Sequence, residues 1–81
     1  MLILKPRKHP LGEMNVIGAN VTKIRLKKDM KQKDLLAKLQ SEGMEITGSC
    51  LSKIEGRTKM VTDKDLLIIA KALGVKPEDL L

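Results

Sequence analysis

Residues 47–56 read TGSCLSKIEG. Thr47 stands where a helix cap would sit, and the small residues Gly48, Ser49 and Cys50 follow it. Leu51 and Ile54 are three apart, and Gly56 closes the stretch. This spacing predicts a short helix with a small, polar front and an apolar underside, capped by the Thr47 hydroxyl and stopped at Gly56. A helix this short is barely stable alone, so its neighbours must hold it.

Those neighbours can be read outward from it. Upstream, a helix is predicted from about Gln32 to Glu42, with Leu35, Leu36 and Leu39 on its inner face and Ala37 permitting close approach. Gly43 is placed to end it, and Met44 and Ile46 serve as core plugs in the connection. Further back, from Asn15, Ile17, Val21 and Ile24 fall at i, i+4 and i+7 of one helical stripe, with Leu26 near it. Lys23, Lys27 and Lys28 take the other side, and residues 29–31 form a turn.

Downstream, Thr62 followed by Asp65 is a near capping box, and Asp63 suits the positive helix end. Leu66, Leu67, Ile69, Ala70 and Leu73 are the buried residues of that helix, and Gly74 stops it. In the closing KPEDLL, Pro77 fits a first helical turn, with Leu80 and Leu81 directed to the core. The body, residues 15–81, is therefore all-α, with five short helices and no strand pattern. Residues 1–14 form a short basic arm, because Pro6 and Pro10 forbid a continuous helix there. A flexible arm and a short edge strand over LILK are both open, and Met14 offers a second start.

Composition bounds the rest. With 81 residues, the chain fits one small domain. It has no Phe, Trp or Tyr, so Leu, Ile, Val, Met and Ala must build the core, with the methionines as filler. The single cysteine, Cys50, permits no internal disulfide or Cys-based metal site and suits a reducing cytoplasm. It reads as a packed or half-exposed filler. His9 lacks metal partners, so neither metal nor cofactor is expected. No apolar run approaches a membrane span, so no membrane partner is expected. One histidine, one cysteine, no carboxylate cluster and no Gly-rich phosphate loop argue against an enzyme.

The formal charge is +6, and its distribution is uneven. Residues 23–33 set Lys23, Arg25, Lys27, Lys28, Lys31 and Lys33 against Asp29 alone. Positive charge returns at Lys53, Arg57, Lys59 and Lys64. These runs bracket the second and third helices as phosphate strands flank a groove. A groove-entering helix needs hydrogen-bonding residues outward and apolar ones inward, and Ser49, Ser52 and Lys53 against Leu51 and Ile54 meet that need.

IGANVTKIRLKKDMKQKDLLAKL, TGSCLSKIEGRTK and LLIIAKALGVKPEDLL occur in that order. Together they make residues 17–81 resemble the Cro/lambda-repressor-type helix-turn-helix domains. The resemblance implies a compact five-helix, lambda-repressor-like fold. It implies that Gln32 and Thr47 bind phosphate, and that Gly48, Ser49, Ser52 and Lys53 approach bases. It places Arg57 and Lys59 in a phosphate-gripping loop and pairs Arg25 with Glu55 in an internal salt bridge. Three features depart from the family's pattern. The connection from Ala37 to Thr47 is longer by about one helical turn, calling for a longer second helix or a wider turn. Lys31 replaces the usual small cap before Gln32, and Gly48 brings no side chain to a reading position.

The resulting expectation is a cytoplasmic, bacterial or phage-encoded regulator that binds double-stranded DNA selectively. It would act as a homodimer, most simply a repressor, on a two-fold operator. Leu73, Val75, Leu80 and Leu81 are the apolar candidates for the dimer surface. The alternative is a protein-interaction module of antitoxin or phage accessory type, with weak DNA binding and a protein partner.

Overall fold

The computed structural model describes residues 12–81. The arm's LILK and His9 lie outside the described residues. Four α-helices follow one another: α1 (Gly18–Lys27), α2 (Gln32–Ser41), α3 (Gly48–Glu55) and α4 (Asp63–Leu73). A 3₁₀ turn over Pro77–Leu80 closes the chain. α3 packs against both α1 and α2, while α4 packs against α2 and the 3₁₀ turn.

The expected fifth helix is thus a single 3₁₀ turn. It spans four residues, with Pro77 at its first position. The bonds close at i to i+3, as in Asp79 N–H to Lys76 O at 2.9 Å. The Asp79 carboxylate accepts from Lys76 N–H at 3.0 Å, and Asn20 Nδ2 donates to Leu80 O at 2.8 Å, tying the turn to α1.

Apolar stripes converge on one core. Val21, Leu35, Leu39, Leu51, Ile69 and Leu80 are fully buried, and Ile54 and Leu73 nearly so. Each such side chain contributes about 1.5–3 kcal/mol of burial. Ile46 is buried and Met44 half-buried against the core. Other inward assignments fail. Leu67 and Leu81 are 58% and 68% exposed, because Leu66 and Leu80 beside them take the inward direction. Leu26, Ala37, Met14 and Met60 are also exposed. Leu73 and Leu80 belong to the core, which removes them from any dimer surface.

All four helices end in the same way. An N–H just past each helix returns to the carbonyl five positions back: Met30 to Arg25, Met44 to Leu39, Thr58 to Lys53 and Val75 to Ala70. This Schellman pattern needs a left-handed residue just before that N–H. Gly43 and Gly74 supply it for α2 and α4, with φ of 90° and 71°. At α1 and α3 the residues are Asp29 and Arg57, with φ of 55° and 61°. So α3 stops on Arg57 rather than on Gly56, which stays right-handed and buried. The long α2–α3 connection resolves as α2 reaching Ser41 and then a wide turn, braced by Gln40 Nε2 donating to Ile46 O at 3.0 Å.

α1 begins at Gly18, three residues later than the apolar pattern suggests. Asn15 stays outside the helix and is buried. Its Oδ1 accepts from Ile17 and Gly18 N–H at 3.1 and 2.8 Å. The last residues of the expected arm run beside the end of α3: Gly12 N–H donates to Gly56 O at 2.8 Å, and Met14 N–H to Arg57 O at 2.9 Å.

Candidate nucleic-acid interface

Three pieces of backbone build one surface: the start of α2, the outer face of α3, and the loop after α3. Thr47 positions α3 locally, since its Oγ1 accepts from Cys50 N–H at 3.2 Å. Leu51 and Ile54 anchor the helix in the core. Gly48, Ser49, Ser52 and Lys53 are consequently the exposed residues of its outer face. A Cβ on Gly48 would meet only Leu36 Cδ2, at 3.8 Å, so packing does not require glycine there.

α2 starts without a side-chain cap at Lys31, but Asp34 Oδ2 accepts from Lys31 N–H at 2.9 Å. Gln32 is the first helical residue and is half-buried. Its Oε1 accepts from Ser52 Oγ at 3.1 Å. The structure thus joins a residue expected at phosphate to one expected at bases. The N-terminal N–H groups of α2 beside Gln32 favour an anion.

The loop after α3 is held from two sides. Lys53 O accepts from both N–H and Oγ1 of Thr58, at 2.9 and 3.2 Å. Asn15 Nδ2 donates to Lys59 O at 2.8 Å and to Ile54 O at 3.2 Å. Arg57 Nε donates to Asn15 O at 2.7 Å. Arg57 is half-buried through this contact, and Lys59 is exposed. Asn15 therefore organises the loop that carries Arg57 and Lys59. Residue patterns missed it because its partners lie 39 and 44 positions away. The one local signal was an Asn just before a helical stripe, a cap signature.

Arg25 and Glu55 lie beneath this surface and not on it. They are joined by two hydrogen bonds, and Thr22 Oγ1 donates to Glu55 Oε1 at 2.9 Å. They tie α1 to the last residue of α3.

Cys50 sits in the first turn of α3 and is half-exposed. Hydrogen bonding to the Thr47 side chain, then to its backbone, holds the thiol below its ordinary value. Lys59 and Lys53 add to this, against a desolvation that raises it. Among the described residues no cluster of His, Cys, Asp and Glu could hold a metal ion, and no helix is long and apolar enough to cross a membrane.

Comparison with known proteins bears on the family and the fold. The family model for the Cro/C1-type HTH DNA-binding domain matches residues 20–81. The fold is similar to the crystal structure of the restriction-modification controller protein C.AhdI from Aeromonas hydrophila. That likeness has a TM-score of 0.70 at 22% sequence identity, covering 80% of this chain and 91% of the other. No curated protein matches the sequence.

Proposed function

Because this chain belongs to the Cro/C1-type HTH DNA-binding domain family, we propose that it is a transcriptional regulator that selects a double-stranded DNA site. The observation that carries this reading is the exposed face of α3, with Ser49, Ser52 and Lys53 outward and Leu51 and Ile54 fixed in the core. Gln32 and Thr47 on one side, and Arg57 and Lys59 on the other, take the two phosphate strands that flank a major groove. Gly48 lets the start of α3 come close to the groove floor. Arg25 and Glu55 hold the reading helix at its angle.

One short helix reads too few base pairs to select a site, so the protein acts as a homodimer on half-sites about 10 base pairs apart. The result is repression by occlusion of polymerase, in a bacterial or phage-derived cytoplasm. A second copy covers an open apolar cleft of about 300 Å³ lined by Val16, Val61, Leu66 and Leu81. Val16 and Leu81 are 66% and 68% exposed. The same cleft favours a second reading, in which the main partner is a different protein of antitoxin or phage accessory type.

Fluorescence anisotropy of a labelled duplex from the gene's own upstream region, against a scrambled duplex, tests the first reading. Several phosphate contacts weaken both complexes steeply between about 50 and 200 mM salt. A selective regulator keeps the native duplex tighter by about a hundredfold or more. Coincident curves, followed by a random-sequence selection that enriches nothing, would leave the second reading.

A further inference from the structure

The Ser52–Gln32 contact has a direction. Ser52 Oγ is the donor and Gln32 Oε1 the acceptor, at 3.1 Å. A serine hydroxyl has one proton, so this bond leaves Ser52 only lone pairs for any further partner. Gln32 in turn has its oxygen occupied and its Nε2–H₂ group left to give. An amide can be turned end for end, but a phosphate at the start of α2 accepts from N–H and repels a carbonyl oxygen. Bound DNA therefore holds the amide with Nε2 on the phosphate and Oε1 on Ser52.

We propose that Ser52 reads DNA as an acceptor only, and that the group it accepts from is the exocyclic amino group of an adenine or a cytosine. This inference rests on the DNA-binding reading of α3 given above. In the major groove, adenine presents N6–H₂ and cytosine N4–H₂, whereas guanine and thymine present only oxygen and nitrogen acceptors to such a contact. An unconstrained serine could satisfy either kind of base edge. The bond to Gln32 removes that freedom. The result is a chain in which each donor points toward the backbone: base amino group to Ser52, Ser52 to Gln32, Gln32 to phosphate. Aligned bonds of this kind strengthen one another. Gln32 is then a positioning residue for base choice as well as a phosphate ligand.

Selection of bound sites from a random duplex library, using the full chain and its Ser52→Ala variant, locates the base that Ser52 faces. At that position the adenine is then replaced by purine, or the cytosine by pyrimidin-2-one, which deletes the amino group alone. Loss of one hydrogen bond should weaken the wild type by about three- to tenfold. Ser52→Ala should be indifferent to the deletion, and Ser52→Thr, which keeps the hydroxyl, should remain sensitive. Gln32→Ala frees the serine proton, so it should bind more weakly at every site and also accept guanine or thymine at this one position. Far-UV circular dichroism confirms that the variants are folded. If the wild type ignores the amino group, if both serine variants respond alike, or if Ser52→Ala changes no position, the inference is overturned while the DNA-binding reading stands. If the wild type enriches no site, that reading fails and takes the inference with it.

Discussion

Arg25 and Glu55 meet in a buried, two-pronged pair. Nε to Oε2 and Nη2 to Oε1 are both 3.0 Å, and the side chains are only 11% and 3% exposed. Arg25 Nη1 also donates to Met30 O at 2.9 Å, so the guanidinium braces the α1–α2 turn as well. Removing one partner leaves the other charge buried and alone. Glu55→Ala should therefore cost about 3–5 kcal/mol, a large share of the stability of so small a domain. Arg25→Met combined with Glu55→Leu should cost much less than the two single changes added together. Urea melts followed by circular dichroism at 222 nm give both numbers, since a chain without Trp or Tyr lacks their fluorescence.

Asn15 uses both ends of its amide. A carboxylate oxygen accepts as an amide oxygen does, so Asn15→Asp keeps the two bonds accepted from Ile17 and Gly18. It loses the two donated to Ile54 O and Lys59 O and sets a carboxylate against those carbonyls. Each bond lost with its carbonyl left buried costs about 1–3 kcal/mol. A fall in melting temperature, together with weaker DNA binding from a loosened 57–59 loop, is expected. An Asn15→Asp protein as stable as the wild type would show that the two accepted bonds alone matter.

Gly18 lets α1 approach the end of α3. A Cβ there would lie well inside contact distance of Ile54 O, and 2.9 Å from Glu55 O. Both obstacles are backbone and cannot rotate away. Alanine outranks glycine by up to about 1 kcal/mol within a helix, and Gly18 is the first residue of α1; Gly18→Ala should nevertheless be destabilising, because overpacking costs about 1–3 kcal/mol or more. The sign of the change in urea midpoint decides between propensity and close approach.

These residues show what a sequence reveals and what it hides. α2, α3 and α4 were legible because their signals are local: Leu35 and Leu39, Thr47, the Thr62–Asp65 box, and Gly43 and Gly74 at helix ends. The exposed face of α3 followed from the Leu51–Ile54 spacing. The hidden features depend on distant partners or on neighbours competing for one direction. Leu66 displaces Leu67 from the core, and Leu80 displaces Leu81. Asn15 gains its role only when α3 arrives beside it. The bond between Ser52 and Gln32 spans 20 positions, and neither residue type announces it.

Cys50 offers a chemical probe of the start of α3. The thiolate is the nucleophile, and Thr47 hydrogen bonding lowers the thiol's pKa. More thiolate is then present at neutral pH than for an unperturbed cysteine, so alkylation by iodoacetamide should be faster there. Its pH–rate profile should have a midpoint shifted to lower pH. Thr47→Val should move that midpoint back up and also cost about 1 kcal/mol through the lost cap. A midpoint unchanged by Thr47→Val would separate the thiol from the capping interaction.

Arg57 holds a position where glycine would be easier. A side-chain-bearing residue in the left-handed region costs about 1–2 kcal/mol. Part of that cost is offset by the bond from Nε to Asn15 O at 2.7 Å, worth about 1 kcal/mol net. Arg57→Gly exchanges these two terms, so the melting temperature should move little. Its effect on DNA should be plain if the guanidinium also meets a phosphate. The variant should bind all sequences more weakly, and the slope of log K against log salt should fall by about 0.9. Arg57→Lys supplies the complementary case: it keeps the charge and the strained φ but loses the planar fork. Its salt slope should match the wild type while its stability drops. An Arg57→Gly protein with unchanged salt slope would make Arg57 a structural residue of the α3 terminus and leave Lys59 as the phosphate contact of this loop.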